Sequence, residues 1–233
     1  MRWSRNAAGR TFAAVAFLAF SESSAQSLVQ IQYGHATGDR FGAAVGDVGD
    51  LDGDSTPDFL VGAPGEYAGG GKGLAYVFSG ATGSALLSVG GGNGAAGFGE
   101  ALDGAGDVNG DAFPDLLVAD PYWEMIIPDA WGAAWVFSGL DGSLLHTVIG
   151  GKLGDSLGYA VTGAGDLNAD GRADFAVSAP YADPIADDEG RVTVHSGADG
   201  SVLHEFEGDL ANATSGRLSR TPATWTRTAP PIS

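Results

Sequence analysis

Cysteine is absent from all 233 residues, so no disulfide can hold this chain together. Basic residues are scarce, 11 against 29 acidic ones, and the formal charge is −18. That imbalance argues against nucleic acid or an anionic membrane as partner. No apolar run is long enough to cross a bilayer as a permanent anchor. Outside the first 25 residues no segment carries a helical stripe of apolar residues. Catalytic signatures are missing too: no Gly-x-Ser-x-Gly elbow, His-Glu-x-x-His pair or Walker loop occurs. Three of the four histidines, His146, His195 and His204, fall in strand-like runs, where a sheet face explains them; the fourth is His35. The chain therefore reads as a non-enzyme, the alternative being a hydrolase or lyase with an unrecognised acidic site.

What is abundant is glycine, 39 residues against an average usage of about 7% and without a collagen period. This predicts many tight turns. Residues 1–25 read as a secretory signal: Arg2, Arg5 and Arg10 precede the apolar stretch from Thr11 to Phe20, and Ser23, Ser24 and Ala25 offer small residues for cleavage. Export would place the protein outside the cell or on its surface, where calcium is plentiful.

The acidic residues are not scattered. Asp50, Asp52, Asp54 and Asp58 form one group; Asp107, Asn109, Asp111 and Asp115 a second; Asp166, Asn168, Asp170 and Asp174 a third. Oxygen-bearing side chains stand at positions 1, 3, 5 and 9 of each, and the groups begin 57 and 59 residues apart. The ten aspartates in these groups are about a third of all the acid. Solubility does not require acids in register, whereas a hard cation wants several carboxylate and carbonyl oxygens at once. A single Asp/Asn-rich turn could merely satisfy its own backbone; three registered copies point to Ca²⁺, about three sites. Mg²⁺ dehydrates reluctantly and rarely receives an all-protein cage.

Other landmarks keep the same register. Phe41-Gly42, Phe98-Gly99 and Leu157-Gly158 stand nine residues before each first aspartate. Gly62-Ala63-Pro64, Ala119-Asp120-Pro121 and Ser178-Ala179-Pro180 follow it, and Ser79-Gly80, Ser138-Gly139 and Ser196-Gly197 come later. Each unit reads as four short strands: one entering the acidic loop, then 58–61, 75–78 and 85–88 in the first copy, 115–118, 134–137 and 144–147 in the second, and 174–177, 192–195 and 202–205 in the third. Four antiparallel strands in such a period make a propeller blade. The predicted fold is all-β: three four-stranded blades of an incomplete ring, preceded by the signal. The units are 41–97, 98–156 and 157–214, after a lead-in at 26–40 with a lone strand at 28–33.

Together the Phe-Gly pair, the Asp-x-[Asp/Asn]-x-Asp-x-x-x-Asp loop and Gly-Ala-Pro resemble the FG-GAP repeat of integrin α chains and many exported bacterial proteins. The resemblance covers roughly residues 36–210. It implies Ca²⁺ in the loop between strands one and two, with the carbonyls at position 7 (Thr56, Phe113 and Arg172) as further ligands. It also implies adhesion or recognition of a protein or glycan rather than catalysis. An EF-hand is rejected: position 12, where it needs a bidentate glutamate, holds Val61, Val118 and Val177, and the flanks read as strands. Asn109 and Asn168 supply oxygen without charge, so by charge count loops two and three are expected to bind more weakly or more slowly than loop one.

The copies diverge between strands two and three. In integrin-like propellers this connection lies opposite the calcium loops, on the recognition face. The middle copy holds Trp123, Met125 and Trp131, anchor-type residues for a partner. The competing reading is packing against a neighbouring blade, which would make the chain a scaffold. Three blades leave open edges that invite association with other propeller segments. Residues 215–233 resemble nothing upstream. Read one base upstream, positions 224, 228 and 232 become codons able to encode aspartate, and the Trp225-Thr226 junction must encode it. These four positions have the 1, 3, 5, 9 spacing, so a frameshifted fourth repeat is the expectation for the tail.

Overall fold

The computed structural model describes residues 14–19, 27–68, 71–92, 97–123, 131–151, 154–182 and 190–208, with backbone alone at 14–19, 27–30, 67–68 and 71–72. Met125, most of residues 1–25 and the whole tail from 209 lie outside the described residues. Every regular element among those described is a strand. Sheet one contains β3 (Val45–Gly49), β4 (Asp58–Ala68), β5 (Gly71–Phe78) and β6 (Ala85–Gly90). Sheet two contains β7 (Ala101–Gly106), β8 (Asp115–Asp120), β9 (Ala133–Phe137) and β10 (Leu144–Ile149). Sheet three contains β11 (Val161–Gly165), β12 (Asp174–Ala179), β13 (Arg191–His195) and β14 (Val202–Glu207). Each is an antiparallel meander in chain order, built from one copy of the repeat.

The lead-in strand is not alone. β2 (Ser27–Tyr33) pairs antiparallel with β1 (Ala14–Ala19), which comes from the apolar stretch assigned to the signal. The Gln32 side-chain amide donates to the Gly83 carbonyl (2.7 Å), tying β2 to the first blade. A strand edge needs a partner for its backbone groups, and the apolar 14–19 stretch supplies one.

Period-two alternation explains how the blades stack. On β8, Leu116 and Val118 enter the core shared with sheet one, while Leu117 and Ala119 enter the core shared with sheet three. On β9, Trp135 and Phe137 take the first side, Ala134 and Val136 the second. Sheet two is thus buried on both faces, which is why β9 and the 116–119 stretch of β8 read as unbroken apolar runs. A third cluster, Phe41, Phe59, Val61, Tyr76 and Phe78, fills the other face of sheet one. The first strands sit innermost, β7 against both β3 and β11. There a Cβ on Gly104 would collide with the Asp47 backbone and one on Gly163 with the Gly104 carbonyl. Outermost are β6, β10 and β14.

The landmarks are hydrogen-bonding stations. The glycine amide of each Phe-Gly pair (Leu-Gly in the third blade) donates to the carbonyl of the residue opening the Gly-Ala-Pro segment: Gly42 to Gly62 (2.9 Å), Gly99 to Ala119 (3.0 Å), Gly158 to Ser178 (2.8 Å). The turn between strands three and four is also the same in each blade, with the Ser79, Ser138 and Ser196 amides donating to Ser84, Ser143 and Ser201.

Candidate metal centres

Each acidic group joins the first strand of its blade to the second, so all three lie at the same end of their sheets. The backbone winds around the carboxylates in a shared pattern. In loop one, Asp50 Oδ1 accepts from the Gly53 (2.8 Å) and Asp54 (3.1 Å) amides and its Oδ2 from Ser55 (2.8 Å). In loop two, Asp107 accepts from Gly110 (2.6 Å), Asp111 (3.1 Å) and Ala112 (2.8 Å). In loop three, Asp166 accepts from Asp170 (3.1 Å) and Gly171 (2.9 Å). Position 5 holds position 7 in the same way: Asp54, Asp111 and Asp170 accept from the Thr56, Phe113 and Arg172 amides, at 2.8, 2.8 and 2.9 Å. This winding needs left-handed backbone at positions 4 and 6. Ser55, Ala112 and Ala169 adopt it with φ of 69°, 71° and 61°, although each carries a Cβ.

Position 9 differs from the rest because it is buried. Asp58, Asp115 and Asp174 are 0–1% exposed. Asp58 accepts from the Leu51 (2.7 Å), Asp52 (3.3 Å) and Gly80 (2.9 Å) amides. Asp115 accepts from Val108, Asn109 and Gly139, and Asp174 from Leu167 and Gly197. Each carboxylate therefore rivets the acidic loop to the end of the third strand. That explains the invariant glycine there, since a Cβ on Gly80, Gly139 or Gly197 would land on the carbonyl of Pro57, Pro114 or Ala173. Burial pushes the Asp115 carboxyl up to about 6 against the pull of its amide donors, and the nearby Asp111 charge adds to the rise.

The loops differ in their acidic donors, because position 3 is Asp52 in loop one and an asparagine in the other two. Asp50, Asp52 and Asp58 each bring a carboxylate oxygen within 4.8 Å of the others, the one such trio among the described residues. Asp54 stands outside that trio. In loops two and three the asparagine oxygen accepts from position 5 while its amide nitrogen donates to the position-5 carboxylate, Asn109 to Asp111 and Asn168 to Asp170, both 2.8 Å. The donor set, hard oxygen throughout and clustered in loop one, suits Ca²⁺ chemistry.

At the other end of the sheets, Trp123 is half-buried, packs on the first core and meets Trp135 edge-on with ring centroids 6.4 Å apart. Trp131 is 36% exposed. Two features escaped the sequence reading. The Arg172 side chain lies over loop two, and position 2 of the first two loops (Leu51 and Val108) is an inter-blade knob; only the recurrent apolar character of that position (Leu51, Val108, Leu167) could have signalled the latter.

The family model for the FG-GAP repeat matches residues 42–78 and 157–195. Among curated proteins the chain is similar to integrin alpha-3 of Cricetulus griseus, 32% identical over 116 residues, covering 46% of this chain and 10% of that protein. Integrin alpha-4 of Xenopus laevis is 32% identical over 162 residues, covering 64% of this chain and 15% of its own length. The chain thus spans a small fraction of these relatives. Among solved structures, rhamnogalacturonan lyase YesW aligns over 90% of this chain and 37% of its own at 14% identity, with a TM-score of 0.45, too loose to carry an argument. Three registered blades, the Phe-Gly and Gly-Ala-Pro stations and the matched segments together show that this chain carries FG-GAP repeats and is similar to integrin α chains.

Proposed function

We propose that the three acidic loops are Ca²⁺ sites bracing an exported propeller segment that serves adhesion or recognition. The observation that carries this is the trio of Asp50, Asp52 and Asp58 oxygens within 4.8 Å of one another, in a loop whose backbone course recurs twice more. Three carboxylates that close repel one another, and a bound cation would cancel that repulsion. The ligands of this reading are Asp50, Asp52, Asp54, Asp58 and the Thr56 carbonyl, with Asp107, Asn109, Asp111, Phe113, Asp115 and Asp166, Asn168, Asp170, Arg172, Asp174 as their counterparts. Similarity to integrin α chains and the signal-like residues 1–25 support a secreted or cell-surface location. Among the described residues no helix is long and apolar enough to cross a membrane.

The partner, a protein or a glycan, would be met at the end of the sheets opposite the acidic loops, where Trp131 is exposed. For Trp123 a specific observation favours a scaffold role instead, its packing on Trp135 and the first core. Thermal unfolding with calcium and with a chelator tests the cation reading: the chelated protein should melt lower, and equal melting temperatures would sink it. Trp131→Ala should weaken partner capture at unchanged stability, while Trp123→Ala should lower stability.

A further inference from the structure

We infer that Arg172 lowers the cation affinity of the second loop, making it the weakest of the three sites. This rests on the calcium reading above. Arg172 belongs to loop three by sequence, and its amide donates to Asp170 (2.9 Å). Its side chain reaches back across the blade interface. Guanidinium atoms Cζ, Nε and Nη2 stand 3.9–4.0 Å from where a Cβ of Gly110 would be. Gly110 is position 4 of loop two, and its amide donates to Asp107 Oδ1 at 2.6 Å, so the positive charge sits directly over the residue that holds the position-1 carboxylate. An arginine stays charged at any working pH.

The other loops lack this neighbour. Around the corresponding Cβ position of Gly53 in loop one there is nothing within 4 Å. The residue of blade two equivalent to Arg172 is Phe113, which lines a cavity of about 190 Å³ with Leu51 and Asp52 and brings no charge. In loop three, whose position 4 is Ala169, the nearby Gly171 at position 6 has nothing within 4 Å of its Cβ position. Counting carboxylates alone ranks loops two and three as equals, since each has an asparagine at position 3. The guanidinium separates them, because a fixed positive charge opposes an arriving divalent cation at short range. The predicted order of affinity is loop one, loop three, loop two.

A glycine amide in each loop provides a separate reporter: Gly53, Gly110 and Gly171. The full chain, ¹⁵N-labelled and freed of metal, is titrated with CaCl₂ at low salt while these amide signals are followed. In the unaltered protein Gly110 should reach its midpoint at a free Ca²⁺ concentration at least about threefold above that of Gly171. Arg172→Gln should bring the two midpoints together and leave Gly53 unmoved, whereas the charge-preserving Arg172→Lys should keep them apart. Raising NaCl to about 1 M should narrow the gap in the unaltered protein, because the screening length then falls to about 3 Å, shorter than the reach of the guanidinium to Gly110. This second measurement holds even if Arg172→Gln fails to fold. Midpoints in Arg172→Gln separated as widely as before, or a gap insensitive to salt, would overturn the inference. No response at any of the three glycines would overturn the calcium reading itself, and this inference with it.

Discussion

The second and third blades are built from the same repeat, yet among the described residues the second shares a core with a blade on each face and the third on one. The contrast is sharpest at position 2 of the acidic loops. Leu51 is 7% exposed and Val108 0%, whereas Leu167 is 54% exposed. The first two are covered from the following blade: Leu51 approaches the notch at Gly139 and Val108 the notch at Gly197. Leu167 has the same place in its loop, and no blade follows above it among the described residues. A blade's own four strands therefore do not complete its core. Burial comes from stacking, as expected of a repeat architecture in which neighbours share each apolar face.

Truncating the knobs tests this comparison with the largest expected effect. Leu51→Ala should cost about 2–5 kcal/mol in denaturant unfolding, the range for a buried leucine whose cavity cannot fully collapse. Leu167→Ala should stay within about 0.5 kcal/mol, as for surface substitutions. Equal losses at the two positions would show that the third blade buries its knob by itself.

The same pair of blades differs at one aromatic position. Phe78 and Phe137 are replaced in blade three by His195, which is 5% exposed and stacks on Phe175 with centroids 5.3 Å apart. His146 of blade two covers Phe175 at 6.0 Å. Burial drives the His195 imidazole below its ordinary value, against the pull of the Gly200 carbonyl and helped by His146. The unfolded chain then takes up the proton before the folded one, so stability present above about pH 6.5 is lost as pH falls below it. Hydrogen exchange should show blade three opening more readily at pH 5.5 than at pH 7.5. His195→Phe, which restores the residue of the other blades, should abolish that difference; a pH effect of undiminished size would assign it elsewhere.

The smallest effect concerns the left-handed position 6. Loop three has Gly171 there, while loop two has Ala112 at φ 71°. Ala112→Gly should relieve the Cβ strain and raise stability by about 0.5 kcal/mol after the entropy cost of glycine. A fall in melting temperature would mean that the loop tolerates alanine without strain.

Much of this was legible in the residues because the interactions are short in sequence. Positions 1, 3 and 5 of each loop bond to amides within five residues, so the spacing of aspartates already describes the winding. The strands followed from short apolar runs, though β4 extends to Ala68, well past the Val61 that the pattern suggested. What the pattern could not reveal involves partners from another blade or from the lead-in. The β1–β2 pairing joins the lead-in to the apolar stretch before it, and neither segment advertises the other. The position-9 aspartates looked like four-fold ligands equal to the rest. Their burial and their bonds to Gly80, Gly139 and Gly197 emerge only when the third strand returns alongside.

By itself the sequence determined the blade as a unit: four strands, an acidic loop wound on its own carboxylates, and glycines where the backbone turns or approaches closely. Those features depend on local backbone bonding and period-two side chains, which are properties of neighbouring residues. Only the tertiary structure decided which blade faces are closed, which knob is left uncovered and whose guanidinium lies over which loop. Stacking brings together residues from separate repeats, and contact across an interface has no spacing that a single strand of sequence can display.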